Sequence, residues 1–474
     1  MLGIPVRKDI SFYASQQIEE QWFEQTLDHF NPVDTRTWKQ RFFINDTFHT
    51  KNGPIFLQLG GEGNADPIWV VEGQIAANYA KRFNAMSVLL EHRYYGKSWP
   101  TEYAFILALK NMSVENLQYL TSQQALQDAA YFIEYLTTKL ALSDNKWVIF
   151  GGSYSGSLAA WFRAKYPHLV VGAIASSAPI EAVVNFKDYL SVVSDSLGQK
   201  CDDAIKEATH ELSLELDHPV GWKSIEKQFK LCEPFNGSIV DDVYNLVSTL
   251  AGNIEGVVQY NKDNRDFEGA VATNITIDVI CDVMTNTSIG AKALDRYMKV
   301  NDIILEAYNQ KCVDFKYEKF VKQLQNTDWK SSAAAGGRQW TYQTCVEFGF
   351  FQSSDLKSQP FGPYFPVEFF IKQCADIFGP KYDQTLLEKS IQFTNNFYGG
   401  YALKVRKVLF PNGSIDPWHA LGVTKDLNQY SKALLINGTA HCADMYPESQ
   451  KDPKELTEAR NHIINTLNDF LTAQ

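Results

Sequence analysis

The chain has 474 residues, 45% of them hydrophobic and 21% charged, which is enough apolar material to bury a large core. Its formal charge of -11 argues against a nucleic-acid partner, which would call for a concentrated basic face. No run reaches the roughly 18 apolar residues of a membrane span; the nearest candidate, from His168 to Val184, is broken by Ser176, Ser177, Pro179 and Glu181.

The N-terminus, Met1-Leu-Gly-Ile-Pro-Val-Arg-Lys-Asp9, has no basic start followed by an apolar stretch, so a signal peptide is expected to be absent or already removed. Ile55-Phe-Leu-Gln-Leu59 reads as a buried strand running into the turn-rich Gly60-Gly-Glu-Gly-Asn64, and Ser87-Val-Leu-Leu90 as a second strand ending at Glu91-His-Arg-Tyr-Tyr-Gly96. Thr121 opens a helix, with Gln124 placed to complete a capping box and Leu126, Ala130, Ile133, Leu136 and Leu140 at helical spacing. Trp147-Val-Ile-Phe150 is a third strand, Leu158 to Tyr166 the helix after it, stopped by Pro167, and Val171 to Ala175 a fourth strand. Strands alternating with helices imply a mainly parallel sheet covered on both faces.

From about 185 to 395 helical periods dominate, as in Asp241 to Leu250 and Ile289 to Tyr308, and six of the seven cysteines lie there. The strand pattern returns at Lys407-Val-Leu-Phe410 and Ala433-Leu-Leu-Ile436 and closes with a helix near Glu455 to Leu471. The expected organisation is therefore a core of residues 1–184 and 396–474 interrupted by a helical insertion over 185–395. The cysteines, at 201, 232, 281, 312, 345, 374 and 442, have neither zinc nor redox spacing, so disulfides are the better reading than metal. Sequons begin at Asn45, Asn111, Asn236, Asn274, Asn286, Asn412 and Asn437; with the clustered cysteines they point to the secretory pathway, lysosomal or extracellular. Glycans are expected on the first five, because Asn412 and Asn437 lie beside the candidate site.

The strand ending at Phe150 delivers Gly151-Gly-Ser-Tyr-Ser-Gly156. A serine needs a base to take its proton and a tight strand-to-helix turn to lift its hydroxyl clear of the sheet, which makes Ser153 the candidate nucleophile. The usual glycine two places later is Ser155 here, which still meets the need for a small residue. Ser155 and Ser157 are rivals that do not sit at the corner. In this architecture an acid and then a histidine follow on loops after later strands. Asp416, in Pro411-Asn-Gly-Ser-Ile-Asp-Pro-Trp418, and His441, in Asn437-Gly-Thr-Ala-His-Cys442, occupy such places. His419 competes as base but shares the loop of Asp416. The oxyanion hole should combine the backbone N–H of Tyr154 with that of Gly61 or Glu62.

These segments resemble the serine peptidase family comprising prolyl carboxypeptidase, dipeptidyl peptidase II and thymus-specific serine protease. The shared text is Gly60-Gly-Glu-Gly63, Glu91 to Gly96, Gly151 to Trp161, Ala175-Ser-Ser-Ala-Pro179, Tyr342-Gln-Thr-Cys345, Tyr398-Gly-Gly400 and Asn412 to Trp418, and coverage runs from Trp22 to the C-terminus. The resemblance implies an α/β-hydrolase fold with a disulfide-stapled helical cap, a Ser153–Asp416–His441 triad, no cofactor, and a peptide substrate cleaved after proline or a small residue by exopeptidase action. It also implies the pairs Cys201–Cys281, Cys232–Cys312 and Cys345–Cys374, leaving Cys442 free beside His441 where the exopeptidase branches have a second histidine. Cys442 and Arg338-Gln-Trp340 look more like the thymus-specific branch. Trp418 is the expected wall of a proline pocket, and Glu62 and Glu347 are the carboxylates available to hold a substrate amine. An esterase or lipase on the same scaffold, or a binding protein that has lost catalysis, are the alternative readings. Activity at acid pH would need His441 to stay neutral or a complex that tolerates its charge. Oligomeric state is open, with a homodimer compatible.

Overall fold

The computed structural model describes residues 18–100 and 111–472; Met1–Asp9, where a signal peptide is expected to be absent or removed, lies outside them. Eight strands form one sheet in the order β1-β2-β4-β3-β5-β6-β9-β10. The strands are β1 (Gln21–Thr26), β2 (Thr37–Asn45), β3 (Ile55–Leu59), β4 (Met86–Leu90), β5 (Trp147–Gly152), β6 (Gly172–Ser176), β9 (Val408–Gly413) and β10 (Lys432–Ile436). Two short strands, β7 (Val183–Asn185) and β8 (Gly349–Phe351), pair separately. β4 through β10 run parallel, while β1 and β2 add an antiparallel edge. Every residue of β3, β4, β6 and β9 is buried, as apolar strands covered on both faces must be. This is the α/β-hydrolase architecture.

The β1–β2 pair lacks the apolar period that marks the other strands. The β2 segment interrupts its apolar run with Lys39, Gln40 and Arg41, and Arg41 is nevertheless buried because its Nη2 lies 2.5 Å from Glu91 Oε1. The helix Ser122–Leu140 begins where expected, and Thr121 Oγ1 accepts from the Gln124 N–H at 3.2 Å. The reciprocal half of the capping box is absent. Gln124 bonds Asp28 and the His29 N–H rather than the Thr121 N–H, and the Ser122 N–H is capped by Glu347, 2.9 Å away.

Between β6 and β9 the chain leaves the large sheet for a stack of helices, among them Asp188–Leu197, Gln199–Leu216, Val240–Gln259, Ile277–Thr285, Ala293–Ala307 and Gln384–Tyr398. Three disulfides tie this region: Cys201–Cys281, Cys232–Cys312 and Cys345–Cys374; Cys442 is free and buried. Among the described residues no helix is long and apolar enough to cross a membrane.

Candidate active site

Ser153 stands between the end of β5 and the helix Tyr154–Lys165, with φ 59° and ψ -132°. A non-glycine residue there costs on the order of 1–3 kcal/mol, so the surroundings must enforce it. They do so through the Ser153 N–H, which donates to Ser176 O at 2.9 Å, and through neighbours that leave no room for side chains. A Cβ on Gly151 would run into the Ser155 carbonyl, and one on Gly156 would meet Ser176 O at 2.7 Å. The rival serines are occupied: Ser155 Oγ donates to Gly152 O at 2.8 Å and Ser157 Oγ to Pro179 O at 2.6 Å. Ser155 thus closes the turn with its hydroxyl where other elbows use a bare glycine. Tyr154 is the first helical residue, so its N–H has no partner within the helix and is left available at the turn.

Asp416 follows β9 and is fully buried; its Oδ1 accepts from the Trp418 N–H at 3.0 Å and from His441 Nδ1 at 2.9 Å. Because a carboxylate oxygen only accepts, Nδ1 carries the hydrogen and Nε2 keeps its lone pair. Burial works against an imidazolium, but the Asp416 carboxylate, with Cys442, more than offsets it and holds His441 well above its ordinary value. His419 is directed elsewhere, its Nδ1 3.1 Å from Gly413 O.

Ser153 and His441 line one cleft of about 200 Å³, with the loop Gly60–Ala65, Trp69, Tyr260, Glu268, Cys442, Met445 and Tyr446 around them. Gly61 and Glu62 are therefore beside Ser153, as the oxyanion reading requires. Their loop is held from below by Glu91, whose carboxylate accepts from the Ala65 N–H at 3.0 Å, the Lys97 N–H at 3.0 Å and Ser98 Oγ at 2.7 Å. Loss of solvent raises the Glu62 carboxyl and the Cys442 thiol above their usual ranges.

Two expected pocket residues lie elsewhere. Glu347 does not line the cleft: it is buried behind the turn, where it caps Ser122 and accepts from Gln343 Nε2 at 3.3 Å, and burial pushes it up to about 7. Trp418 is not on the cleft wall but in an aromatic cluster behind it, 5.4 Å from Phe186, 5.5 Å from Phe350 and 6.4 Å from His441 between ring centroids. Among the sequons, Asn45 is a poor glycan acceptor because its Nδ2 is buried and donates to Val70 O at 2.6 Å. Asn236, Asn274 and Asn286 are exposed, and Asn111 is partly so.

Gln259, at the end of the helix Val240–Gln259, was not foreseen. Its carbonyl accepts the His441 N–H at 2.9 Å, and its Oε1 accepts from Trp418 Nε1 at 3.1 Å and Tyr189 Oη at 2.7 Å. Tyr260 follows it, edge-on to the His441 ring at 6.0 Å. Nothing in a glutamine at a helix end signals such a role.

Residues 25–463 match the family model described as Serine carboxypeptidase S28. The chain is 35% identical over 463 residues to thymus-specific serine protease of Mus musculus, covering 95% of this chain and 87% of the relative. It is 30% identical over 464 residues to lysosomal Pro-X carboxypeptidase of Homo sapiens, covering 95% and 88%. With a family match over nearly its whole length, the chain belongs to the S28 serine carboxypeptidases and is a serine peptidase.

Proposed function

We propose that the protein is a serine exopeptidase working through an acyl-enzyme on Ser153, cleaving after proline or a small residue. The observation that carries this reading is the shared cleft of Ser153 and His441, with His441 Nδ1 bonded to a buried Asp416. His441 Nε2 takes the Ser153 proton as Oγ attacks the peptide carbonyl and then gives it to the departing amine. Asp416 keeps the tautomer and steadies the transient imidazolium. The Tyr154 N–H, with that of Gly61 or Glu62, receives the developing oxyanion, each donor contributing roughly 3 kcal/mol. Water then attacks the acyl-enzyme with the same base.

Exopeptidase action is supported by the small cleft and by Tyr260 and Glu268, which line it from the segment between β6 and β9. Cleavage after proline is supported by the relative named lysosomal Pro-X carboxypeptidase. The three disulfides and exposed sequons at Asn236, Asn274 and Asn286 support folding in the secretory pathway, with a lysosomal or extracellular destination. Digestion of an unbiased peptide library, read by fragment mass, tests the proposal. Products lacking residues from one end, cut after proline or a small residue, are expected. Internal cleavage alone, or turnover of short acyl esters with every peptide intact, would overturn it.

A further inference from the structure

A cavity of about 920 Å³ lies at the other pole of the sheet. Its walls are Arg163 near the end of the helix Tyr154–Lys165, the segment Tyr401–Arg406 that leads into β9, and Leu427–Tyr430, which leads into β10. These are the N-terminal ends of β9 and β10, whereas Asp416 and His441 follow their C-terminal ends. No residue is common to the two sites.

The cavity is lined by Arg163, Lys404 and Arg406 and by no carboxylate, in a chain with 55 acidic and 44 basic residues. Among the described residues Arg163 donates to carbonyls, those of Arg406 at 3.1 Å, Pro167 at 2.7 Å and Val170 at 2.9 Å. Burial lowers its pKa, and burial with repulsion from Arg163 lowers that of the adjoining Lys407. Of the acids that adjoin the walls, Glu181 accepts the Tyr401 N–H at 2.9 Å and Asp426 pairs with Lys432 at 2.8 Å. Arg163 is partly buried while Lys404 and Arg406 are exposed, and three cations with no carboxylate among the lining residues favour an anion. Aromatic and amide groups accompany them. Tyr401 is 50% exposed, Arg406 lies over the Tyr430 ring at 4.3 Å, and Gln429 is exposed.

We propose that this cavity binds an anionic saccharide, a sugar carrying sulfate or phosphate. Charge alone would admit any polyanion. The half-exposed Tyr401 suits the apolar face of a pyranose ring, the Gln429 amide suits a hydroxyl, and the volume suits two or three rings.

Calorimetric titration of the full chain tests this with three probes: a heparin-derived tetrasaccharide, trehalose 6-phosphate and hexaglutamate. Saturable binding of one or both sugars is expected, and which is tighter tells sulfate from phosphate. The double variant Lys404→Ala, Arg406→Ala should weaken that binding at least tenfold and flatten its salt dependence. Tyr401→Ala should weaken it with the salt dependence kept. Fluorophosphonate labelling of Ser153 should be unchanged in both variants, which shows that they fold. Absence of saturable sugar binding, binding indifferent to these substitutions, or hexaglutamate bound as tightly as the sugars would overturn the assignment.

Discussion

Gln259→Ala is the most informative perturbation of the site because it touches neither Ser153 nor the ionised groups. The backbone carbonyl that receives the His441 N–H remains, but the acceptor for Trp418 Nε1 and Tyr189 Oη disappears. Both donors belong to buried residues. A buried donor left unmade costs about 1–3 kcal/mol, so the two together cost about 2–6 kcal/mol. Folded domains hold roughly 5–15 kcal/mol in reserve, so the variant should remain folded but melt at a lower temperature. Trp418 also gives its backbone N–H to Asp416, so its release frees the loop that orients His441. A displacement of about 1 Å there would lower kcat roughly a hundredfold with KM little changed. Gln259→Glu retains an acceptor for both donors and adds a carboxylate near His441. It should restore much of kcat at alkaline pH while moving the acid limb of kcat/KM upward. Steady-state kinetics on one peptide across pH, with thermal melts of both variants, provides the readout. A Gln259→Ala enzyme with unaltered kcat would refute the positioning argument, whatever its melting temperature.

Ser153→Ala should cost about a millionfold in turnover, and residual hydrolysis anywhere near the original rate would move the nucleophile elsewhere. Asp416→Asn should lower kcat about ten-thousandfold, because the amide no longer favours the Nδ1–H tautomer; peptide kinetics with a folded variant check it. His441 must be neutral to act as base, and its pKa is held above 6.5 in the fold, so kcat/KM should fall tenfold per pH unit on the acid side of that raised value. Its contribution to stability runs the other way: complete below about pH 6.5 and lost as pH rises through the folded pKa. A flat rate profile down to pH 5 would contradict this. Cys442 is buried with its thiol pushed up, so iodoacetamide at neutral pH should leave it unmodified in the native enzyme and alkylate it after unfolding, as peptide mass mapping would register.

The features legible in the sequence are those whose cause is local. The turn at Ser153 could be read because an apolar strand, small residues and a helix are contiguous there, and the clashes at Gly151 and Gly156 arise within a few residues or against the next strand. Asp416 and His441 could be picked out because each trails a buried strand of a parallel sheet, and adjacent parallel strands bring such loops together. Where a side chain's partner lies far away, composition and period say little. Arg41 breaks the apolar pattern of β2 yet is buried, because Glu91, 50 residues on, neutralises it. Glu347 had the chemistry of an amine-binding carboxylate, but its partner is the start of a helix 225 residues earlier, which turns it into a cap.

Gln259 extends the same point to the site itself. The periodicity of Val240–Gln259 reports only which face of the helix packs inward, and all of its last four residues except Val257 and Gly256 are accounted for by burial. What gives the helix end its importance is that the His441 N–H, the Trp418 indole and the Tyr189 hydroxyl converge on one residue. Tyr189 lies in the first helix after the sheet is left, and Trp418 and His441 lie in loops after the last two strands. A single carboxamide and its carbonyl therefore join the helical insertion to both loops of the proposed acid–base pair. On this geometry the insertion is more than a cover over a finished site: the orientation of His441 depends on it, and loosening the insertion should reach kcat before it reaches the hydrogen bond between Asp416 and His441.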